Sequence, residues 1–267
     1  MDLAAVRELF DAEMRREASP ERPGMELEDT GDVVRQTGGE GDWNGVLWSR
    51  LTAAGADAAI AEQVRHYGAL GLDFEWKHYS HDLPDDLPQR LLAAGFEPEG
   101  PEALMVAEAA ALQTAPQLPD GVRLVEVTDR AGVDLMVRAH ELAFEGSPAQ
   151  LSARLGGRVL AQLTQAPETI SVVVALAGGE PVSAARAEFL PGKQFAGLWG
   201  GGTVPGWRGK GLYRALIAHR ARTAAARGYR YLQTDAVLDT SRPILERLGF
   251  VQLSLTTPYN YRVETAG

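Results

Sequence analysis

The sequence predicts an α/β (α+β) chain built as two tandem domains, each a mixed twisted sheet flanked by helices. Three observations lead there. The chain has 267 residues, nearer two domains than one at about 150 residues per domain. Short extended runs alternate with longer amphipathic stretches throughout, the pattern of sheets covered by helices. Finally, both halves finish alike, in a strand, a short helix and then a Gly-Phe pair. The pair is Leu-Leu-Ala-Ala-Gly-Phe at 91–96 and Leu-Glu-Arg-Leu-Gly-Phe at 245–250. A repeat of domain length indicates duplication rather than a solenoid. With 45% hydrophobic and 23% charged residues, disordered, collagen-like and coiled-coil chains are excluded.

From the N-terminus, Leu3, Val6, Leu9 and Phe10 mark an amphipathic helix. Val46 to Leu51 reads as a strand, Ala56 to Leu70 as a helix, and Phe74 to Tyr79 as an alternating strand. A short helix over Asp85 to Ala94 stops at Gly95, and Ala103 to Glu108 is extended again. The prolines and glycine of 113–120 break every period and set a linker there. The expected domains are therefore residues 1–112 and 121–267.

The second half opens with a strand over Val122 to Val127, then helices over Arg130 to Phe144 and Ala149 to Gln165. Strands Ile170 to Leu176 and Pro181 to Phe189 flank Gly178-Gly179, a hairpin turn, and Phe195 to Val204 follows. A long helix runs from Gly211 to Arg227. After it come a strand over Tyr231 to Asp235, a helix over Ser241 to Leu248 and an extended stretch over Phe250 to Val263.

The charge is unevenly placed. Residues 1–120 carry 24 acidic and 9 basic side chains, a net of −15, whereas 121–267 carry 12 and 17, a net of +5. From Lys193 to Arg230 there are eight Lys or Arg and no Asp or Glu. An acid-free, glycine-rich passage from strand to helix suits an anion, because the first turn of a helix leaves its N–H groups without partners. Arg214, Arg220, Arg222, Arg227 and Arg230, beyond the turn itself, are expected on a solvated helix face. The absence of cysteine excludes disulfides, thiolate zinc sites and cysteine nucleophiles. No apolar run approaches the roughly 18 residues of a spanning helix, and no basic-then-apolar leader opens the chain. The expected location is cytoplasmic.

The segment Thr203-Val-Pro-Gly-Trp-Arg-Gly-Lys-Gly-Leu-Tyr213 discriminates among phosphate motifs. A G-x-x-x-x-G-K-[ST] loop fails, with Val204 at its first glycine and Gly211 after Lys210. A G-x-G-x-x-G fingerprint fails at Arg214. Arg208-Gly-Lys-Gly-Leu-Tyr213 instead resembles the GNAT superfamily of acetyltransferases, whose signature is Q/R-x-x-G-x-G/A. Tyr213 departs from it at the final position. Leu245 to Phe250 supports the likeness, which spans most of residues 121–263.

The resemblance implies two tandem GNAT-like domains, of which the C-terminal one binds acetyl-CoA as co-substrate, without a metal. Backbone amides from Arg208 through Gly209, Lys210, Gly211 and Leu212 to Tyr213 would hold the pyrophosphate. Gly202, Thr203 and Val204 would pair with the pantetheine arm. It further implies direct acetyl transfer to an amine of a small molecule or peptide, in a ternary complex. That chemistry needs a base for the ammonium and an acid for the departing thiolate. The family's usual acid is a tyrosine four residues before the glycine of Gly-Phe, where this chain has Leu245. Tyr213, Tyr259 and Tyr261 are the alternative acids; Glu188, Asp235, Glu141 and His140 are the candidate bases.

The first half has no counterpart of the signature. Leu51 to Ile60 contains no basic residue, which implies a degenerate copy like the silent half of other tandem acetyltransferases. Its acidity favours a cationic acceptor. Trp43, Trp48 and Trp76 are expected in its core, and His78-x-x-His81 lacks the neighbours of a metal site. Trp199 and Trp207 stand beside the signature. No nucleic-acid or membrane partner is expected, and the protein is expected to be a monomer or homodimer. The competing reading is an acyl-CoA-binding sensor without turnover.

Overall fold

The computed structural model describes the chain apart from residues 21–23, 40, 113–117, 145–148 and 264–267. Two compact units interleave in sequence. An N-terminal unit holds Met1–Met105, Asp235–Ile244 and Gln252–Gly267, and a C-terminal unit holds Val106–Thr234 and Leu245–Val251.

In the N-terminal half the elements are α1 (Leu3–Phe10), β1 (Glu26–Asp29), β2 (Val33–Thr37), β3 (Gly45–Ser49), α2 (Ala56–Leu70), β4 (Phe74–Tyr79), α3 (Leu87–Ala93), β5 (Glu97–Pro98) and β6 (Glu102–Glu108). Asp2 caps α1 by accepting from the Ala4 and Ala5 N–H groups. The hairpin β1–β2 has no alternating signal in the sequence. Glu-Leu-Glu-Asp is mostly polar, and Val33 to Gln36 are buried without a break. The α2 to α3 order matches expectation, and Gly71 ends α2 in the left-handed conformation.

In the C-terminal half they are β7 (Val122–Glu126), α4 (Arg130–Ala143), α5 (Ala149–Gln165), β8 (Ile170–Ala177), β9 (Glu180–Phe189), β10 (Phe195–Thr203), α6 (Leu212–Ala226), β11 (Tyr231–Val237), α7 (Ser241–Arg247) and β12 (Val251–Tyr261). The C-terminal unit's strands run in the order β7-β8-β9-β10-β11, antiparallel except for the parallel pair β10–β11. Gly178 and Gly179 both take positive φ, 58° and 97°, as the tight β8–β9 turn demands. Both faces of β8 are covered. Val172 and Val174 pack with Val133, Met136 and Val159 of α4 and α5, whereas Val173 meets Leu216 of α6. Two-sided burial is why this strand reads as an unbroken apolar run instead of an alternating one.

β12 lies in the N-terminal unit. It pairs antiparallel with β4 over six positions, Thr256↔Tyr79 to Tyr261↔Phe74, and its Tyr259 joins a core that includes Val46, Ile60, Tyr67, Trp76 and Leu91. Tyr67 stacks on Phe74 at 4.3 Å. Conversely, Val106–Glu108 of β6 belongs to the C-terminal unit, where the Ala109 N–H donates to the Arg230 carbonyl at 2.9 Å. The N-terminal unit thus contains β12 from Gln252 on, encoded in the second half of the chain, and the C-terminal unit contains the end of β6, encoded in the first. Of the expected linker 113–120, residues 113–117 lie outside the described residues.

A buried ion-pair network braces the N-terminal unit. Arg15 donates to both oxygens of Asp82 at 2.8 Å, to Asp11 at 2.7 Å and to the Leu47 carbonyl at 3.0 Å, and lies 3.8 Å over the Tyr79 ring. His81 of the His78-x-x-His81 pair is held there between Asp11 and Ser254, at 2.8 and 3.0 Å. Trp76 is fully buried; Trp43 and Trp48 are partly so, with the Trp43 Nε1–H donating to Glu75.

Candidate active site

The site is built where β10 leaves its neighbours. Its parallel ladder with β11 covers Phe195↔Tyr231, Ala196↔Leu232 and Gly197↔Gln233, and Thr234 adds a hydroxyl bond to the Leu198 carbonyl at 2.8 Å. From Trp199 onward, among the described residues, β10 pairs only with β9. Even that register shifts, by a bulge between Trp199 and Gly202. One edge of the strand is therefore open where the chain reads Gly200-Gly-Gly-Thr.

Each glycine of the bulge gives way to a side chain. Gly200 sits at φ 59°, and a Cβ there would meet Arg186 Nη1 at 2.9 Å. At Gly201 it would meet Tyr213 Cε2 at 3.0 Å and Arg220 Nη2 at 3.6 Å. At Gly202 it would meet Phe144 Cε2 at 2.6 Å. A strand of ordinary residues would have to push Arg186, Tyr213 and Phe144 away, with Arg220 left at contact distance. Trp199 folds its indole over Gly197, and Trp207 packs in the cluster of Leu212 and Val182.

Beyond β10, one tight turn carries the chain into α6. The Val204 N–H donates to the Val182 carbonyl, and the N–H groups of Trp207 and Arg208 close back on Val204 and Pro205. Gly209 and Gly211 adopt φ of 76° and 83°, left-handed values that side chains other than glycine's resist. Gly211 caps α6 without any side-chain hydrogen bond, and no acid stands in the first turn. The turn is exposed, so the free amides of the helix start face solvent.

Arg208 clamps this turn. Its Nε donates to the Thr203 carbonyl at 3.1 Å and its Nη2 to the Ala143 carbonyl at 3.0 Å, so its guanidinium joins the end of β10 to the end of α4. Lys210 lies 4.5 Å over the Trp207 ring.

Of the candidate catalytic side chains, Tyr213, Glu188, Glu141 and His140 lie in the unit that carries the signature. Glu188 pairs with Arg186 at 3.0 Å. Burial raises the Tyr213 phenol above its ordinary range, against the pull of the Arg220 charge. Asp235 and Tyr259 belong to the N-terminal unit. Asp235 pairs there with Lys77 at 2.5 Å, and Tyr259 is a buried core residue. His140 packs on Phe144 at 4.6 Å, and burial and then the Arg186 charge lower its pKa. Leu245 is buried.

Two members of the site escape sequence reasoning. Phe144 looks like an ordinary helix terminus. Arg220, expected on a solvated face, is only 1% exposed, and this corrects the expectation. Its place seven residues after Tyr213, two helical turns along the same face, is the signal that was available. Arg227 is exposed, as expected, while bonding the Glu168 carbonyl at 2.6 Å and covering the Phe189 ring at 4.3 Å. No metal-binding group of His, Asp or Glu occurs among the described residues, and none of their helices is long and apolar enough to cross a membrane.

Comparison with known proteins agrees with this geometry. The acetyltransferase (GNAT) family matches residues 136–250. A GCN5-related N-acetyltransferase from Kribbella flavida superposes with a TM-score of 0.71 at 17% identity, covering 100% of this chain and 96% of its own. A functionally unknown conserved protein from Staphylococcus epidermidis reaches 0.70 at 13% identity, covering 97% and 100%. A tandem GNAT protein from the clavulanic acid biosynthesis pathway reaches 0.63 at 14% identity, covering 99% and 96%. Comparison with curated proteins gives no match. The segment that carries the bulged strand and the glycine turn thus matches the acetyltransferase (GNAT) family, and the chain as a whole shares its fold with these solved structures.

Proposed function

We propose that the C-terminal unit transfers an acetyl group from acetyl-CoA to the amine of a small molecule or peptide, directly and in a ternary complex. One observation carries the reading: an uncapped helix start, Gly209 to Leu212, follows a strand whose edge is open from Trp199 to Thr203. The helix-start amides and Lys210 suit a pyrophosphate. The open edge at Gly202 and Thr203 suits an amide-bearing arm added as a strand, and a free bulge amide would polarise the thioester carbonyl. Arg208 acts by holding the turn through its two carbonyl bonds rather than by touching phosphate.

Three groups of this unit suit the proton transfers. Glu188, at the Arg186 guanidinium, is the candidate base, with His140 kept neutral by its burial as the alternative. Tyr213, against the bulge, is the candidate acid. The expected halves 1–112 and 121–267 are read as two ancestral copies, the first of which has lost the phosphate turn. A cytoplasmic location fits a reaction that draws on acetyl-CoA.

Leu245, an apolar core residue where the family's acid is expected, favours the second reading of an acyl-CoA sensor. Calorimetry with acetyl-CoA tests binding, and thiol release against a panel of amines separates the readings. The enzyme binds acetyl-CoA and turns over at least one amine; a protein that binds and never releases thiol is the sensor. Absence of binding overturns both.

A further inference from the structure

Two departures from the family pattern meet at one point of the fold. The acid expected at 245 is a buried leucine, and a tyrosine stands at 213 where the signature has a small residue. The Tyr213 ring occupies the space left by the missing side chain of Gly201, at the open stretch of β10. Behind it stands Arg220. Its Nε and Nη1 donate to the carbonyls of Leu216 and Arg186 at 3.2 and 3.1 Å, so the side chain is fixed. Its Nη2 is buried and has no hydrogen-bond partner. It converges with Tyr213 on the same empty position, 3.6 Å away.

A buried guanidinium donor left unpaired costs free energy that folding does not recover. Such a cost persists where the charge is used at another stage. We propose that Tyr213 is the relocated proton donor of this site and that Arg220 is its positioning residue, its free Nη2 held ready for the phenolate that forms when the proton leaves. The proposal rests on the acetyl-transfer reading.

In the step, the amine nitrogen bonds to the thioester carbonyl carbon and the C–S bond breaks, its electron pair staying on sulfur. The Tyr213 hydroxyl proton passes to that sulfur. The phenolate left behind faces Arg220 until the proton released by the acylated nitrogen returns to it through water. The guanidinium is charged throughout, because burial, with the Arg186 charge, pulls it down only to about 10. The other titratable groups here are Arg186 and its partner Glu188 on β9, and His219 on α6, its pKa lowered by burial, with Glu126 on β7 beside it. Val173 and Ala185, packed against α6 at Leu216, bring no charge.

The test reads the phenol itself and needs no acceptor. Tyrosine ring ¹³C signals are followed from neutral to alkaline pH in the protein without CoA, Tyr213 being assigned by its loss in Tyr213→Phe. The ionisation constant of Tyr213 is expected to fall by at least about tenfold in Arg220→Met and to stay within about threefold of wild type in Arg220→Lys, which keeps the charge. An unchanged constant in a folded Arg220→Met overturns the proposal. If that variant does not fold, Arg220→Lys decides: a constant lowered tenfold or more overturns it, and one within threefold supports it. Calorimetry of wild type with acetyl-CoA is a separate reading. Loss of binding would sink the acetyl-transfer function while leaving the Tyr213–Arg220 coupling as measured.

Discussion

Two helices of this chain, α2 and α6, are each 15 residues long and follow a glycine, yet they begin in opposite ways. At α2 the chain closes its own amides: the Gly55 N–H donates to the Thr52 carbonyl and hydroxyl at 3.1 and 3.2 Å, and the Ala56 N–H donates to the same carbonyl at 3.0 Å. Gly55 keeps a right-handed φ of −97°, and Asp57 puts a negative charge in the first turn. At α6, Gly211 is left-handed at 83°, no side chain caps the helix, and bases replace acids. The difference is one of occupancy. Thr52 already takes up the Gly55 and Ala56 amides, and Asp57 places a negative charge in the same turn, whereas α6 leaves its amides and its positive helix end available.

The largest effect concerns the frame that holds both helix starts. Residues 121–267 expressed alone lack Val106–Leu112 of their own unit, and their β12 has lost β4, its ladder partner. An unpaired strand edge that carries the core residue Tyr259 invites aggregation. The fragment is expected to be insoluble or to lack a cooperative melt by circular dichroism. A soluble, cooperatively melting fragment that binds acetyl-CoA would show that the comparison of two interleaved units is mistaken.

Next comes the paired substitution at the helix starts. Gly211→Asp forces a side chain into a left-handed conformation and aims a carboxylate at the anion site, which together cost about 3 kcal/mol, or roughly a hundredfold in acetyl-CoA affinity. Gly55→Asp keeps a right-handed backbone, and its Cβ meets only Thr52 Oγ1 at an ordinary 3.4 Å. Calorimetry is expected to show loss in the first and no change in the second. Equal losses would mean that the binding energy comes from elsewhere.

The contrast was partly legible in the sequence, for a physical reason. The signature is local: glycine spacing and absent acids specify the turn, and turn and helix formed where Gly209, Gly211 and Leu212 predict. Long-range pairing is different, because nothing in Phe250 to Val263 tells which strand it will join. β4 was found only in space. The bulge has the same character. Gly200-Gly-Gly announces conformational freedom, but that Phe144, Tyr213, Arg186 and Arg220 fill the vacated volume depends on elements far along the chain. Arg220 reads as surface because arginine usually is, and only the packing around Gly201 reverses this.

A smaller effect is expected with pH, and it reaches both units. His66 and His78 in one, and His140 and His219 in the other, all have pKa values lowered by burial. Each folded form binds fewer protons than the unfolded chain just below the ordinary histidine value of about 6.5. The stability they contribute is therefore complete above that value and is lost as pH falls through the folded values. Denaturant midpoints are expected to fall from about pH 7.5 to about pH 5.5, with a shallower slope in His78→Gln. A midpoint that rises on acidification contradicts the sign.

The smallest effect is the most telling for the comparison. Thr52→Ala removes the hydroxyl bond to the Gly55 N–H and leaves both carbonyl bonds in place. It is expected to lower stability by about 1 kcal/mol or less in chemical denaturation. Acetyl-CoA affinity and stoichiometry are expected to be unchanged. Uncovering one amide is not enough to make an anion site where Asp57 remains, Leu51 to Ile60 holds no basic residue, the neighbouring Arg90 is already paired with Asp57 at 2.8 Å, and the backbone is right-handed at Gly55. If calorimetry instead counted a second equivalent of acetyl-CoA in Thr52→Ala, α2 would be a masked phosphate site held shut by one hydroxyl. The two helix starts would then differ by a cap and no longer by charge and backbone conformation.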